Sequence, residues 1–391
     1  LTCSVLLCLP TLAQADIRFN GFASIVAGKS LDSDSSLYGY DDSIDFKNET
    51  KFALQMSADL GERLSATAQI MARGDKDFNA EFEWAYLTYE INDNSQISAG
   101  KMRIPFYRYS DFLDVGYAYR WIRPPQAVYS LNFSTYEGLN YLYNSTLGDW
   151  DSTIQIVYGS FNGGINAITD GDASTLQDTI GVNWTMTYDW LSLRAAYLFS
   201  DVSIDPSGSA DFSGLLAGLQ GYGFNAARDG LDFEEDKGTF KAVGISIDYN
   251  DVLFDAEYIE LEVDKSLLAP QERYYLSLGY RINEWTVHAT YESQNDEHDA
   301  SSFNLAPATF THPQLGVIPA STDPTNPDAP LLRDLVNGTL ASQKVDRETL
   351  SFGARYDFHP SAAFKIDYST RDDNLSNTDV SVLSFGIDLV F

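Results

Sequence analysis

Five cations fall within one short stretch of an otherwise acidic chain. Lys101, Arg103, Arg108, Arg120 and Arg123 lie between residues 96 and 135, where only Asp111 and Asp114 oppose them. Five cations against two acids leave +3 there, while all 391 residues together carry −31. A guanidinium presents a planar fork of donors that matches carboxylate and phosphate oxygens, so arginines set this close could draw anions into a narrow passage. They could equally brace the segment against acids elsewhere, or pack on Tyr107, Tyr109, Tyr117 and Trp121. Both readings stand on the sequence.

No other grouping suggests chemistry at a reacting centre. His288, His298, His312 and His359 are scattered, without H-E-x-x-H or zinc-finger spacing. No G-x-S-x-G elbow and no phosphate-cradling glycine loop occurs. His288 and Glu292 share one face of a strand, which reads as lining rather than as an acid–base pair. Asp32-Ser-Asp34 with Asp41, Asp42 and Asp45 lacks the spacing of a calcium loop, so neither a metal nor a cofactor is expected. The two cysteines, Cys3 and Cys8, stand in the first fifteen residues, and from Asp16 onward there is none to form a disulfide or act as a nucleophile. A charge of −31 repels phosphate backbones, which excludes nucleic acid as a partner.

The elements that must position these residues are strands, because alternation outweighs helical periodicity. Ile17, Phe19, Ala23 and Ile25 face one way while Arg18, Asn20 and Ser24 face the other. Ile180, Val182, Trp184, Met186 and Tyr188 repeat the pattern, as do Leu350, Phe352, Ala354, Tyr356 and Phe358 against Ser351, Gly353, Arg355 and Asp357. Sixteen such segments are expected, near 16–30, 47–60, 64–74, 82–92, 96–106, 136–148, 150–162, 178–190, 191–202, 240–250, 252–263, 273–283, 285–296, 347–359, 362–373 and 379–391. Each approaches the roughly 9–11 residues that a tilted strand needs to cross a bilayer.

Connection lengths alternate. Short ones such as Gly148-Asp149, Asn250-Asp251 and Asn283-Glu284 are interleaved with long ones near 31–46, 107–135, 203–239 and 297–346. That asymmetry is expected of an all-β, transmembrane antiparallel β-barrel, with short periplasmic turns and long outer loops. In hydrocarbon every backbone donor and acceptor must be paired, and a closed barrel is the one sheet without an edge. Tyr86, Trp150, Tyr188, Trp190, Tyr249 and Trp285 fall near strand ends, where interfacial aromatic girdles belong. The acidic excess sits in the outer loops, where it either solvates them or bridges through divalent cations to lipopolysaccharide.

Both chain ends add expectations. Residues 1–15, LTCSVLLCLPTLAQA, read as a secretory signal peptide truncated at its start, with Ala13-Gln14-Ala15 before the cut, and residues 16–391 as the barrel domain. In the last strand Phe385, Ile387, Leu389 and Phe391 share one face. This pattern resembles the C-terminal signal by which barrel assembly machinery recognises its clients, with Phe391 as the terminal aromatic.

The run Gly100-Lys-Met-Arg-Ile-Pro-Phe106 resembles the G-x-x-x-x-P-F stretch of Gram-negative outer-membrane porins, including phosphate-selective ones. The resemblance implies a third loop folded into the lumen, a homotrimer in the outer membrane and passive diffusion of small hydrophilic solutes and ions. On that footing Lys101, Arg103, Arg108, Asp111, Asp114, Arg120 and Arg123 are expected to line the pore constriction, with no catalytic role. The alternatives are an anion- or phosphate-selective channel and, from a different class, an outer-membrane barrel enzyme or adhesin.

Overall fold

Alternating segments joined by tight turns can satisfy their backbones only by pairing with their neighbours, and here they do so in a ring. The computed structural model describes residues 16–131, 133–165, 172–205, 210–221, 224–231, 234–264, 266, 268–298, 309–312, 316–319 and 328–391. The leader expected at 1–15, with both cysteines, lies outside these. The first half of the wall comprises β1 (Asp16–Ser30), β2 (Lys51–Gly61), β3 (Leu64–Arg73), β4 (Ala80–Asn92), β5 (Ser95–Arg103), β6 (Thr135–Leu147), β7 (Trp150–Ile165) and β8 (Asp172–Tyr188). The second half comprises β9 (Leu191–Asp205), β10 (Asp236–Tyr249), β11 (Val252–Val263), β12 (Gln271–Ile282), β13 (Trp285–Asp296), β16 (Val345–His359), β17 (Ala362–Asp373) and β18 (Thr378–Val390).

These sixteen strands form one closed antiparallel barrel, each paired with its neighbours in sequence and β1 paired back onto β18. At that seam Gly21 and Phe391 exchange both backbone hydrogen bonds, at 2.8 and 3.0 Å. The Phe391 ring lies across Gly21, where a β-carbon would meet it at 2.4 Å, and stacks on Phe52. Only glycine leaves room for this closure.

The register follows the expected faces. Phe352 is 50% exposed and Ser351 7%. In β1, Ile17, Phe19 and Ile25 face out while Phe22, Ser24 and Val26 are buried. No helix among the described residues is long and apolar enough to cross a membrane, and the outer rows of the strands expose large apolar side chains such as Leu87, Leu139, Tyr158, Val182 and Leu278. The short turns use residues that tolerate positive φ, as tight hairpins require: Asn250 at 54°, Asn283 at 55° and Asp189 at 45°. Beside these turns, Trp150 with Tyr188, Trp190 with Tyr249 and Trp285 with Tyr356 pair their rings at 5.3, 5.5 and 4.6 Å, forming an aromatic girdle at the short-turn end. Tyr86 departs from expectation, turning inward against the lumen core.

Two long loops hold more structure than their charge suggests. The expected loop 203–239 is shortened by extensions of β9 and β10, and it contains α1 (Ala210–Gly221) and α2 (Asn225–Leu231). The expected loop 297–346 contains a hairpin of β14 (Thr309–His312) and β15 (Gly316–Pro319), then α3 (Asp328–Ser342). Phe212, Leu215 and Leu219 of α1 pack against Leu332 and Val336 of α3. Their spacing is helical, but acids in the same segments dilute the apolar signal in the sequence.

Candidate pore constriction

The third connection runs over residues 104–134, because β5 ends at Arg103 and β6 begins at Thr135. It starts three residues earlier than the sequence suggests, since the pairing ends with the Ile104 N–H on the Ser134 carbonyl, before Pro105, which can donate no hydrogen bond. The loop enters the lumen, and its aromatic residues form a core there. Phe106, Tyr107, Tyr109, Tyr119, Trp121 and Tyr129 pack with Tyr136 of β6, Leu198 of β9, Phe240 of β10, Ile259 of β11 and Tyr275 of β12.

Ionic contacts tie the loop to much of the wall. Asp114 accepts from Arg103 at 2.6 Å and from Arg73 of β3 at 3.1 Å, with Lys51 of β2 at 3.5 Å. Glu83 of β4 completes the cluster, 2.8 Å from Arg73 and 3.0 Å from Arg103. Opposite, Arg120 donates to Asp255 of β11 at 2.6 Å and lies over Trp121. Arg108 donates through its backbone N–H to Glu257 and through its side chain to Ser192 of β9. Arg123 grips Glu49 through two hydrogen bonds, of 2.7 and 2.5 Å, and reaches Ser384 of β18.

Cations of the wall hold the loop's carbonyls in turn. Arg194 of β9 donates to Pro105 and Phe106, Arg355 of β16 to Tyr117 and Tyr119, and Lys365 of β17 to Gly116 and Trp121. Asp367 of β17 accepts from the Ile122 N–H, and Glu292 of β13 from that of Ala127. The loop thus bonds to β2, β3, β9, β11, β12, β13, β16, β17 and β18, which places it across the lumen.

Six of the seven residues expected at the constriction come together here. Arg103, Arg108, Asp114, Arg120 and Arg123 carry the tethers, and Asp111 lines two cavities on the periplasmic side of the loop. Lys101 does not join them. Its register partners Ala85 and Glu137 put it on the same row as Ala99 and the lipid-facing Leu139, and its ammonium donates to the Phe82 carbonyl at 3.1 Å. Arg103, two residues on, escapes that row because the strand ends there and the chain turns inward.

Burial works to raise the Asp114 carboxyl, but Lys51, Arg103 and Arg73 hold it well below the usual carboxylate range. Burial pushes the Asp111 carboxyl up, against the pull of Arg103 and Arg194. The partners that sequence reasoning missed, Glu49, Glu83, Arg194, Asp255 and Glu257, lie from 10 to 149 residues away from the groups they bond. All but Glu49 belong to barrel strands, and the inward, polar parity of Arg194, Asp255 and Glu257 was the available signal.

A closed barrel with lipid-facing apolar rows and a loop drawn across its lumen is the architecture of an outer-membrane diffusion channel. The sequence profile of the family described as Gram-negative porin matches residues 1–374, and the chain belongs to that family. It forms a channel for passive diffusion across the outer membrane. The fold is similar to that of the anion-selective porin from Comamonas acidovorans, with 10% identity and a TM-score of 0.60 over 97% of this chain and 100% of that one. It is similar to OmpF of Salmonella typhi in complex with daunomycin, at 14% identity and 0.56 over 96% and 97%. It is also similar to OmpT of Vibrio cholerae in its trimer form, at 11% and 0.56 over 96% and 99%. No curated protein matches the sequence.

Proposed function

We propose that this porin is a narrow, weakly charge-selective and non-enzymatic channel for small hydrophilic solutes and ions, whose conductance is limited by the third loop. The observation that carries this reading is the pairing of the loop's arginines with acids: Arg103 with Asp114 and Glu83, Arg120 with Asp255, Arg123 with Glu49. Fixed charge in the pore sets selectivity, and a cation already matched by a carboxylate adds little net field. The four arginines thus act chiefly as braces, Lys101 lies outside the lumen, and the +3 of the segment does not by itself make an anion filter.

Planar-bilayer recordings under a KCl gradient test this. The expected reversal potential is small, and Arg103→Ala, Arg108→Ala and Arg123→Ala together should raise conductance more than they shift that potential. A strongly anionic reversal potential that collapses in the triple variant would reinstate the anion-channel reading.

The protein works as a homotrimer in this proposal, supported by the family and by the trimer form of the Vibrio relative. Residues 1–15 serve as its export signal. Phe391, with Phe385, Ile387 and Leu389 on the same face, is the mark read by the assembly machinery, and the acidic outer loops meet lipopolysaccharide.

A further inference from the structure

The third loop divides the lumen into chambers of different chemistry. Among the described residues, the outer cavity shares no lining side chain with the two periplasmic cavities that Asp111 touches. The periplasmic side is mixed, with Gln55, Gln69, Gln96, Asn140 and Gln155 on its walls beside Phe22, Val115 and Val390. The outer chamber, about 540 Å³, is walled more by apolar side chains, among them Phe106, Phe133, Leu198, Val202, Phe240 and Leu261, with Thr179, Ser200 and Thr239 between them. A water-filled barrel ordinarily points polar side chains inward, so an apolar lining is a departure that needs a cause.

Part of the cause is that the wall here stands clear of hydrocarbon. At this height the outward positions of β9, β10 and β11 carry Asp201, Lys237, Lys241, Glu260 and Glu262, with Lys237 paired to Asp201 and Lys241 to Glu260. Such a face would be costly in lipid. The inner face is therefore free to bury apolar surface, and Val202 and Val263 do so against the α1–α3 cap. The cap leaves the chamber unfilled. Its volume falls within the roughly 300–1,000 Å³ of sites that hold small molecules.

The polar rim has one sign. Arg273, Arg347, Gln271 and Gln294 line the chamber, and no Asp or Glu does so among the described residues, in a chain carrying −31. Arg273 is committed to Asp296 through two hydrogen bonds and to Ser130 through a third. Arg347 is bonded to Asp373 through Nε alone, at 2.7 Å, which leaves its terminal nitrogens without a hydrogen bond among the described residues. The Gln271 side-chain oxygen is buried without a partner among the described residues.

We propose that the outer chamber binds a small amphipathic acid, an aromatic or branched apolar body carrying one carboxylate, with the body against Phe106, Val202 and Leu261 and the carboxylate on Arg347. The inference deepens the diffusion-channel reading, because such a solute would be concentrated at the outer mouth before crossing the loop.

The test uses the full-length protein in lipid nanodiscs, titrated calorimetrically with 3-phenylpropionate, its amide and acetate, with empty nanodiscs subtracted. Saturable binding of phenylpropionate is expected, about tenfold tighter than the amide, which lacks the charge-assisted contact, and tighter still than acetate, which lacks the body. Arg347→Gln should abolish the preference over the amide, and Leu261→Asn should weaken both aromatic probes alike. Folding of each variant is checked by its heat-modifiable migration on gels. Binding no tighter than acetate, or a preference untouched by a folded Arg347→Gln, overturns the proposal. Conductance measured on the same preparations separates the two readings: current without phenylpropionate binding sinks the chamber alone, and binding without current sinks the channel reading.

Discussion

Within β9, β10 and β11 the two ends of the same strands obey opposite rules. Towards the periplasm, Leu193 and Tyr249 face out while Arg194, Asp255 and Glu257 are buried inside. Towards the outer end, Lys237, Lys241 and Glu260 face out, and Val202, Ile204, Phe240, Ile259 and Val263 are buried inside. A strand fixes only that neighbours point to opposite faces; the medium on each side decides which face is apolar. Below, lipid outside takes the hydrocarbon and the lumen takes the charges. Above, charged side chains face outward and apolar side chains line the inside around the outer chamber. The protein is thus a membrane wall continued upward as a water-facing β-structure with a helical cap.

The ionic end of that comparison offers the largest effect. Asp114→Ala leaves Arg103, Arg73 and Lys51 facing one another without their shared carboxylate. Removing one partner of a buried pair costs about 3–5 kcal/mol. The loop should loosen, and single-channel conductance in bilayers should rise. An unchanged conductance would mean that the remaining tethers suffice.

Acid separates the two loop carboxylates. The Asp114 value is depressed, so its contribution stands at neutral pH and is lost only as pH falls through that low value. The Asp111 value is raised, so its contribution is greatest in acid and is lost as pH rises through it. Mild acid should therefore neutralise Asp111 first and move the reversal potential toward anion preference, a drift absent in Asp111→Asn.

On the lipid face, Phe352→Arg should cost about 2–4 kcal/mol if it lies near mid-bilayer, measured by denaturant titration in lipid vesicles. Ser351→Arg, pointing into the lumen, should cost far less, and equal costs would invert the register. Phe391→Ala removes an exposed ring whose stacking on Phe52 contributes about 1 kcal/mol. On the proposed targeting role of that ring, folded protein recovered from cells should nonetheless fall clearly; a yield matching the small stability loss would remove the targeting role. The smallest effect is expected at Glu262→Arg, on the outer face of the water-exposed end, where melting should not change. A clear loss there would place this end in lipid and break the comparison.

The wall was legible in the sequence because strands declare themselves locally: all sixteen follow from period-two alternation and from turn residues such as Asn250 and Asn283. The cap was not, since Phe212, Leu215, Leu332 and Val336 are scattered among acids and become a core only when α1 and α3 meet. Lys101 and Arg103 share parity on paper, and only the end of β5 sends them to different sides. The arginines of the third loop were legible as a group but not as braces. Arg120 and Asp255 stand 135 residues apart and meet only once the barrel has brought β11 to the loop.

The ring closure at Gly21 and Phe391 bears on how this molecule comes apart. Once β1 and β18 have joined, every strand has two partners, and none can leave without breaking two ladders of hydrogen bonds at once. Closure joins segments near opposite ends of the chain, so it requires nearly the whole intervening wall to be in place and is entropically the hardest contact to make. Reopening this seam returns more chain entropy than parting any other pair of neighbouring strands. Shortening the Phe391 ring or crowding Gly21 should speed loss of the folded barrel more than any equally conservative change in mid-wall.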